Sequence, residues 1–217
     1  MATNIVFTKS LSAASATSIA APQAAVAGTP LTLTANPVVI DTISANNIEA
    51  GRRVLITSTS ATETASVTIK GTNSSGSLIS ETDTFSGSSA TLQSNLDYVT
   101  VISVVPSGTI VGSLSAGTSG VGSSRWVTWN WQLSPPLNIG YAVELVSGAI
   151  NYTVQYTYDD PNNLMAGVLF PLPFNTILLD QTATADSTLS TPFIATRVLI
   201  NSGTGVIRVR SVQAGVG

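Results

Sequence analysis

Apolar positions in this chain recur at every second residue, in short runs. Ala65-Ser-Val-Thr-Ile-Lys70 sets Val67 and Ile69 on one side and Ser66, Thr68 and Lys70 on the other, the alternation of a half-buried strand. Ile150 to Tyr158 repeats the pattern over a longer span. Tyr152, Val154, Tyr156 and Tyr158 share one side, opposite Asn151, Thr153, Gln155 and Thr157. Strand composition also predicts elements at Asn4–Phe7, Arg53–Thr57, Ser77–Phe85, Tyr98–Val105, Thr109–Leu114, Tyr141–Val146, Phe193–Ile200 and Val206–Val212. Turn-forming residues separate them: Gly71–Gly76, Pro106–Gly108, Asp159–Asn163 and Asn201–Gly205. Long helical periodicity is absent, so the chain reads as all-β.

Two halves of the chain resemble each other. Tyr98–Thr109 aligns with Phe193–Thr204, and both are followed by a strand that ends in Ala-Gly, at Ala116-Gly117 and Ala214-Gly215. This favours two tandem, related antiparallel β-sandwich units of jelly-roll or immunoglobulin-like type. One larger sandwich, with halves alike only because β-proteins alternate, is the competing reading. The expected division is an N-terminal strand and extended low-complexity arm over 1–36, a first unit over 37–118 and a second over 119–217. Gly117–Ser124 serves as a linker that is flexible by composition. The N-terminus imitates a secretory signal, with Lys9, the stretch Leu11–Ile19 and Ala25-Val-Ala27. The stretch is crowded with Ser and Thr and interrupted by Pro22 and Gln23, so an arm that packs against something is preferred.

Composition narrows the chemistry. The 217 residues include no Cys and no His. That excludes disulfides, a thiolate zinc site, a cysteine nucleophile and a Ser-His-Asp triad. Charged residues make up 9% of the chain, 8 basic and 11 acidic, which argues against a nucleic-acid-binding surface. Ser and Thr number 29 each. Mean hydropathy is +0.35, enough to bury a core. The longest apolar candidate, Leu164–Leu179, is broken by Pro171, Pro173 and Asn175, so no membrane-spanning helix is expected. A chain this poor in charge lacks the usual solubilising coat, which points to a surface largely covered by other subunits.

Candidate contacts follow. Arg125-Trp-Val-Thr-Trp-Asn-Trp131 places Trp129 and Trp131 on one side of a strand and Trp126 on the other. Exposed, they would stack on sugar rings; buried, they are core or interface fillers. Arg208 and Arg210, with Arg197 in the preceding strand, would form a small basic ladder facing an acidic partner, or would be solvated charges that discourage edge pairing. Ile5 and Phe7 in the N-terminal strand complete the set of candidate partner contacts. Asp159, Asp160, Asn162 and Asn163 form an oxygen-rich turn that calcium would suit, but without EF-hand spacing. Acids are thinly spread, and close pairs such as Glu81 and Asp83 carry no mark of burial. No catalytic residue, metal site or cofactor is assigned.

Val67–Thr82, followed by Tyr98–Val105, resembles a pattern found in structural proteins of tailed bacteriophages. Tyr152–Pro161, Thr191–Gly205 and Val212–Gly215 are similar to the same group. The likeness covers roughly residues 50 to 217. It implies a virion component, made in the host cytoplasm and located on the particle. Stiff tandem modules, an adhesive surface and no catalytic group suit a capsid decoration or cement protein. The expected partners are the major capsid protein and copies of the chain itself, as a homo-oligomer, with neither nucleic acid nor membrane. A tail or neck component, or a sugar- or receptor-binding module using Trp126–Trp131, is the alternative.

Overall fold

A computed structural model of the protein describes residues 3–41, 49–129, 138–161 and 175–214, and every regular element among them is a strand. The chain separates into two compact units. One is formed by Met1–Ser12, Ser44–Glu49 and Ser123–Gly217, the other by Ala13–Ile43 and Ala50–Gly122.

The first unit is organised by two strands of 20 residues each, β11 (Asn138–Thr157) and β14 (Ala195–Ala214). They pair antiparallel from Asn138 opposite Ala214 to Thr157 opposite Ala195. The ladder slips twice, once around Val146 on β11 and once around Asn201 on β14. An extra residue on one strand bends it and shifts its alternation by one. The burial pattern follows: β11 buries Ile139, Tyr141 and Val143 before the slip, then Ile150, Tyr152 and Val154 after it. β14 buries Val198 and Ile200, then Ile207 and Val209. Both halves of the ribbon therefore turn their apolar side into one core, shared with Phe7, Leu11, Val127, Trp129 and Phe193. Shorter strands flank the ribbon. β1 (Thr3–Leu11) pairs with the C-terminal half of β14, and β10 (Val127–Thr128) with its start. β12 (Asn175–Gln181) and β13 (Ala185–Leu189) pair with opposite ends of β11.

The second unit is a sandwich. β2 (Ser15–Ala24), β9 (Ser113–Ser124), β4 (Glu49–Ser58) and β7 (Thr91–Gln93) are neighbours in that order, the last residues of β9 and the first of β4 lying at the unit's boundary. β3 (Val38–Val39), β8 (Thr100–Ser107), β5 (Ser66–Thr72) and β6 (Leu78–Thr84) form the other sheet. The core takes Ile19, Val54, Ile56, Leu114 and Ala116 from one sheet and Val67, Ile69, Val101 and Val104 from the other, with Leu31, Phe85 and Tyr98 between. Burying a side chain of this size stabilises by about 1.5–3 kcal/mol.

Two sequence expectations change. Asn201–Gly205 is no turn between separate strands but the bend within β14, and Tyr141–Val146 and Ile150–Tyr158 join as β11. Gly117–Ser124 is no flexible linker; it lies in β9 and is mostly buried. Its small residues permit close approach: a Cβ on Gly117 would collide with the carbonyl oxygen of Ser15. The expected arm is extended but packed, Thr3–Leu11 on β14 and Ser15–Ala24 on β9.

Gly203 sits at the bend with φ +97°, and an added Cβ would meet the Ala149 carbonyl oxygen. Gly203→Ala is expected to cost about 2–4 kcal/mol from left-handed strain and overpacking together. Gly76→Ala, at φ +75° with open space around the new Cβ, should cost only about 1–2 kcal/mol. Urea-unfolding midpoints compare the two.

Candidate interaction surfaces

The tryptophan segment divides between core and surface. Trp129 is buried, and its indole N–H donates to Thr196 Oγ1 at 2.9 Å. Trp126 is half-buried, with the Arg197 guanidinium carbon 4.8 Å from its ring centre. Arg197 Nε also donates to Gln155 Oε1 at 2.8 Å. One indole is thus occupied by the core and the other by a cation, and neither is a free stacking platform. Trp131 lies outside the described residues. Phe7 is buried in the core of the first unit, and Ile5 packs against that core from a partly buried position.

The arginine ladder carries its own counter-charge. Glu144 lies directly across the ladder from Arg208. Its Oε2 is 3.3 Å from Arg208 Nη1 and 3.0 Å from Arg210 Nη1. The side chains are 38–51% exposed, so the pairs add little stability. They do halve the positive charge of the face. Arg197, on the same strand, is committed to Trp126 and Gln155 as described.

The outward face of the β3–β8–β5–β6 sheet carries paired hydroxyls, beside the exposed Lys70 and Leu78. Ser66 and Thr84 pair at 2.7 Å, Thr68 and Thr82 at 2.8 Å, and Thr72 and Thr100 at 2.7 Å. The opposite side of β6 carries Glu81 and Asp83. Glu81 accepts the backbone N–H of Asn95 at 2.9 Å and of Leu96 at 3.3 Å. Asp83 Oδ1 accepts Asn95 Nδ2 at 3.2 Å, while its buried Oδ2 has no partner. Burial and then the nearby Asp83 charge hold the Glu81 carboxyl above its ordinary range, despite the N–H donors. Burial and then the Glu81 charge push the Tyr98 hydroxyl upward in turn.

Sequence reasoning missed Glu63, which is fully buried. Its carboxylate accepts Ser58 Oγ at 3.1 Å and the backbone N–H groups of Ala65, Val111 and Gly112 at 3.2, 3.0 and 3.1 Å. It ties the loop after β4 to the loop before β9. Burial raises its proton affinity, but the donors outweigh burial and hold it below the ordinary carboxylate range. Arg52 plays a comparable part: it is buried and donates to Ser119 O at 2.7 Å and Ala13 O at 3.4 Å. Only the acidic residue in a Ser/Thr loop hinted at Glu63, because the N–H groups that define its role lie almost 50 positions further on.

Asp159 and Asp160 are exposed, and Asp159 N donates to Thr157 Oγ1 at 3.1 Å. Asn162 and Asn163 lie outside the described residues. Among the described residues, no group of three or more acids could hold a metal ion, and no helix is long and apolar enough to cross a membrane. No protein-family model, curated protein or solved structure matches the chain.

Trp129→Ala should lose about 3–5 kcal/mol. Trp126→Ala should lose less, the cation–π contact of about 0.5–1 kcal/mol together with the burial of half a ring. Chemical denaturation followed by circular dichroism measures both. Glu63→Gln should cost about 2–3 kcal/mol at neutral pH, since charged hydrogen bonds are replaced by weaker ones. Because the folded-state pKa is depressed, the Glu63 contribution is fully present above the unfolded carboxylate value, about 4.3. It is lost as pH falls through the lower folded value. The stability of the wild type should therefore fall more steeply than that of Glu63→Gln in this acidic window.

Proposed function

We propose that this protein is a non-enzymatic structural component of a bacteriophage particle. In this reading it is a capsid decoration or cement protein on the outside of the head that clamps neighbouring major capsid subunits. It acts in many copies, as a homo-oligomer.

The observation that carries the reading is how the chain uses its few charges. Glu63 and Arg52 are spent inside, stitching loops and strands together. Glu144 offsets one of the two charges of Arg208 and Arg210. The second unit's outer sheet face is finished with paired hydroxyls instead. A stiff body with a nearly neutral, hydrogen-bonding surface suits adhesion over a broad area and repels few neighbours. The likeness of Val67–Thr82 and Tyr152–Pro161 to phage structural proteins points the same way.

Purified particles test this. Quantitative gel densitometry should show the protein in constant ratio to the major capsid protein, and particles lacking it should lose their DNA at lower temperature. A handful of copies confined to the tail, with unchanged head stability, would contradict the assignment.

A further inference from the structure

We infer that β6 is a docking edge for an extended partner segment that carries basic side chains at alternate positions, added to the β3–β8–β5–β6 sheet as a further strand. This deepens the assembly reading above and rests on it only for the existence of a partner.

Among the described residues, β6 is the outer strand of its sheet and pairs with β5 alone. The β5–β6 register runs from Ser66 opposite Thr84 to Thr72 opposite Leu78 without a slip. The strand has no Pro and no bulge, two of the devices that protect an edge. Its sheet's other outer strand, β3, is two residues long. In the sheet that faces it, the outer strand β7 has three residues and the pairing of β2 slips twice.

Ladder geometry says which groups point outward. Phe85 N bonds Ala65 O, and Asn73 N bonds Ser77 O. Hydrogen-bonded pairs alternate along an antiparallel ladder, so Glu81 and Asp83 direct their backbone groups at β5. Ser80 and Thr82 direct N–H and C=O at the open side. A strand added there would meet Glu81 and Asp83 as non-hydrogen-bonded pairs, where opposed side chains come closest.

The two carboxylates choose the occupant. Glu81 and Asp83 lie two residues apart on the side of the sheet that faces the core. Among the described residues neither is in an ion pair, and one buried Asp83 oxygen has no hydrogen bond. Their partners are neutral donors: Asn95 N and Nδ2, Leu96 N and the Tyr98 hydroxyl. The only cation on β5, Lys70, lies on the opposite face, across from Ser80. Inward-facing charge on an edge strand deters pairing with apolar or acidic strands, a second copy of β6 included. The same charge favours a strand that presents Lys or Arg two residues apart, because opposite charges across a ladder attract.

Fluorescence anisotropy with the full chain tests this, using labelled strand-forming peptides that carry Lys, Ser or Glu at alternate positions. The lysine peptide should bind at least about tenfold more tightly than the serine peptide, a difference of about 1.4 kcal/mol. The glutamate peptide should bind more weakly still. The Glu81→Gln/Asp83→Asn double variant should erase the preference. Thr82→Pro, which removes an outward N–H that β5 does not use, should abolish binding. Circular dichroism verifies that each variant is folded, and the double variant still decides if the proline variant is not. Equal affinity for the three peptides, or lysine-peptide binding that survives in a folded Thr82→Pro, would overturn the docking edge. Self-association of the double variant without peptide binding would also overturn it. Each of these results leaves the capsid assignment to the particle experiment.

Discussion

The paired backbone of β11 and β14 is the interaction on which the first unit depends. Every other strand described in that unit hydrogen-bonds to one of these two. A straight ribbon of that length would have an apolar face too long for one core. One extra residue in each strand, Val146 and Asn201, bends the ribbon and switches the buried positions between odd and even numbers, so that both arms face the same interior. Glycines with positive φ at 148, 203 and 205 let the strands approach closely across the bend. The shape of the core is thus a consequence of two single-residue slips.

The second unit solves the closure problem with two sheets, and it uses ions sparingly. Its buried carboxylate, Glu63, is satisfied by N–H and O–H donors instead of a cation, and joins the two loops that run from the β4–β9 pair to the β5–β8 pair. Its buried Arg52 is capped by carbonyl oxygens. Such groups stabilise when every partner is present and destabilise when one is removed. Glu81 and Asp83 stand apart from this pattern, as neighbouring carboxylates at an open edge with one Asp83 oxygen left without a hydrogen bond.

Much of the fold was legible where alternation is local. The β5 strand, its Gly71–Gly76 turn and the returning β6 strand are found within a residue or two of their expected places, and Val67 and Ile69 are buried as their spacing predicts. Legibility fails where a neighbour decides. Asn201–Gly205 has turn chemistry, yet β11 runs alongside and holds it as a bend. Gly117–Ser124 has linker composition, yet close contact with β2 needs its small side chains. Thr153, Gln155 and Thr157 alternate as a solvent face and are nevertheless buried, with Thr153 taken up by Asn201 and Asp180 N and Gln155 by Arg197. Among the candidate contacts, Phe7 and Trp129 went to the core because a hydrophobic residue on a strand looks the same whether it faces a partner or its own interior.

We propose that this chain works by adhering to neighbours through stiff pleated modules. Hydrogen–deuterium exchange on the protein, free and then mounted on intact particles, tests it most directly. The amides of Ser80 and Thr82 should exchange freely in the isolated protein and become protected on the particle, while those of the β11–β14 ladder are slow in both. Identical exchange in the two states, with the protein removed from particles by a gentle wash, would contradict it.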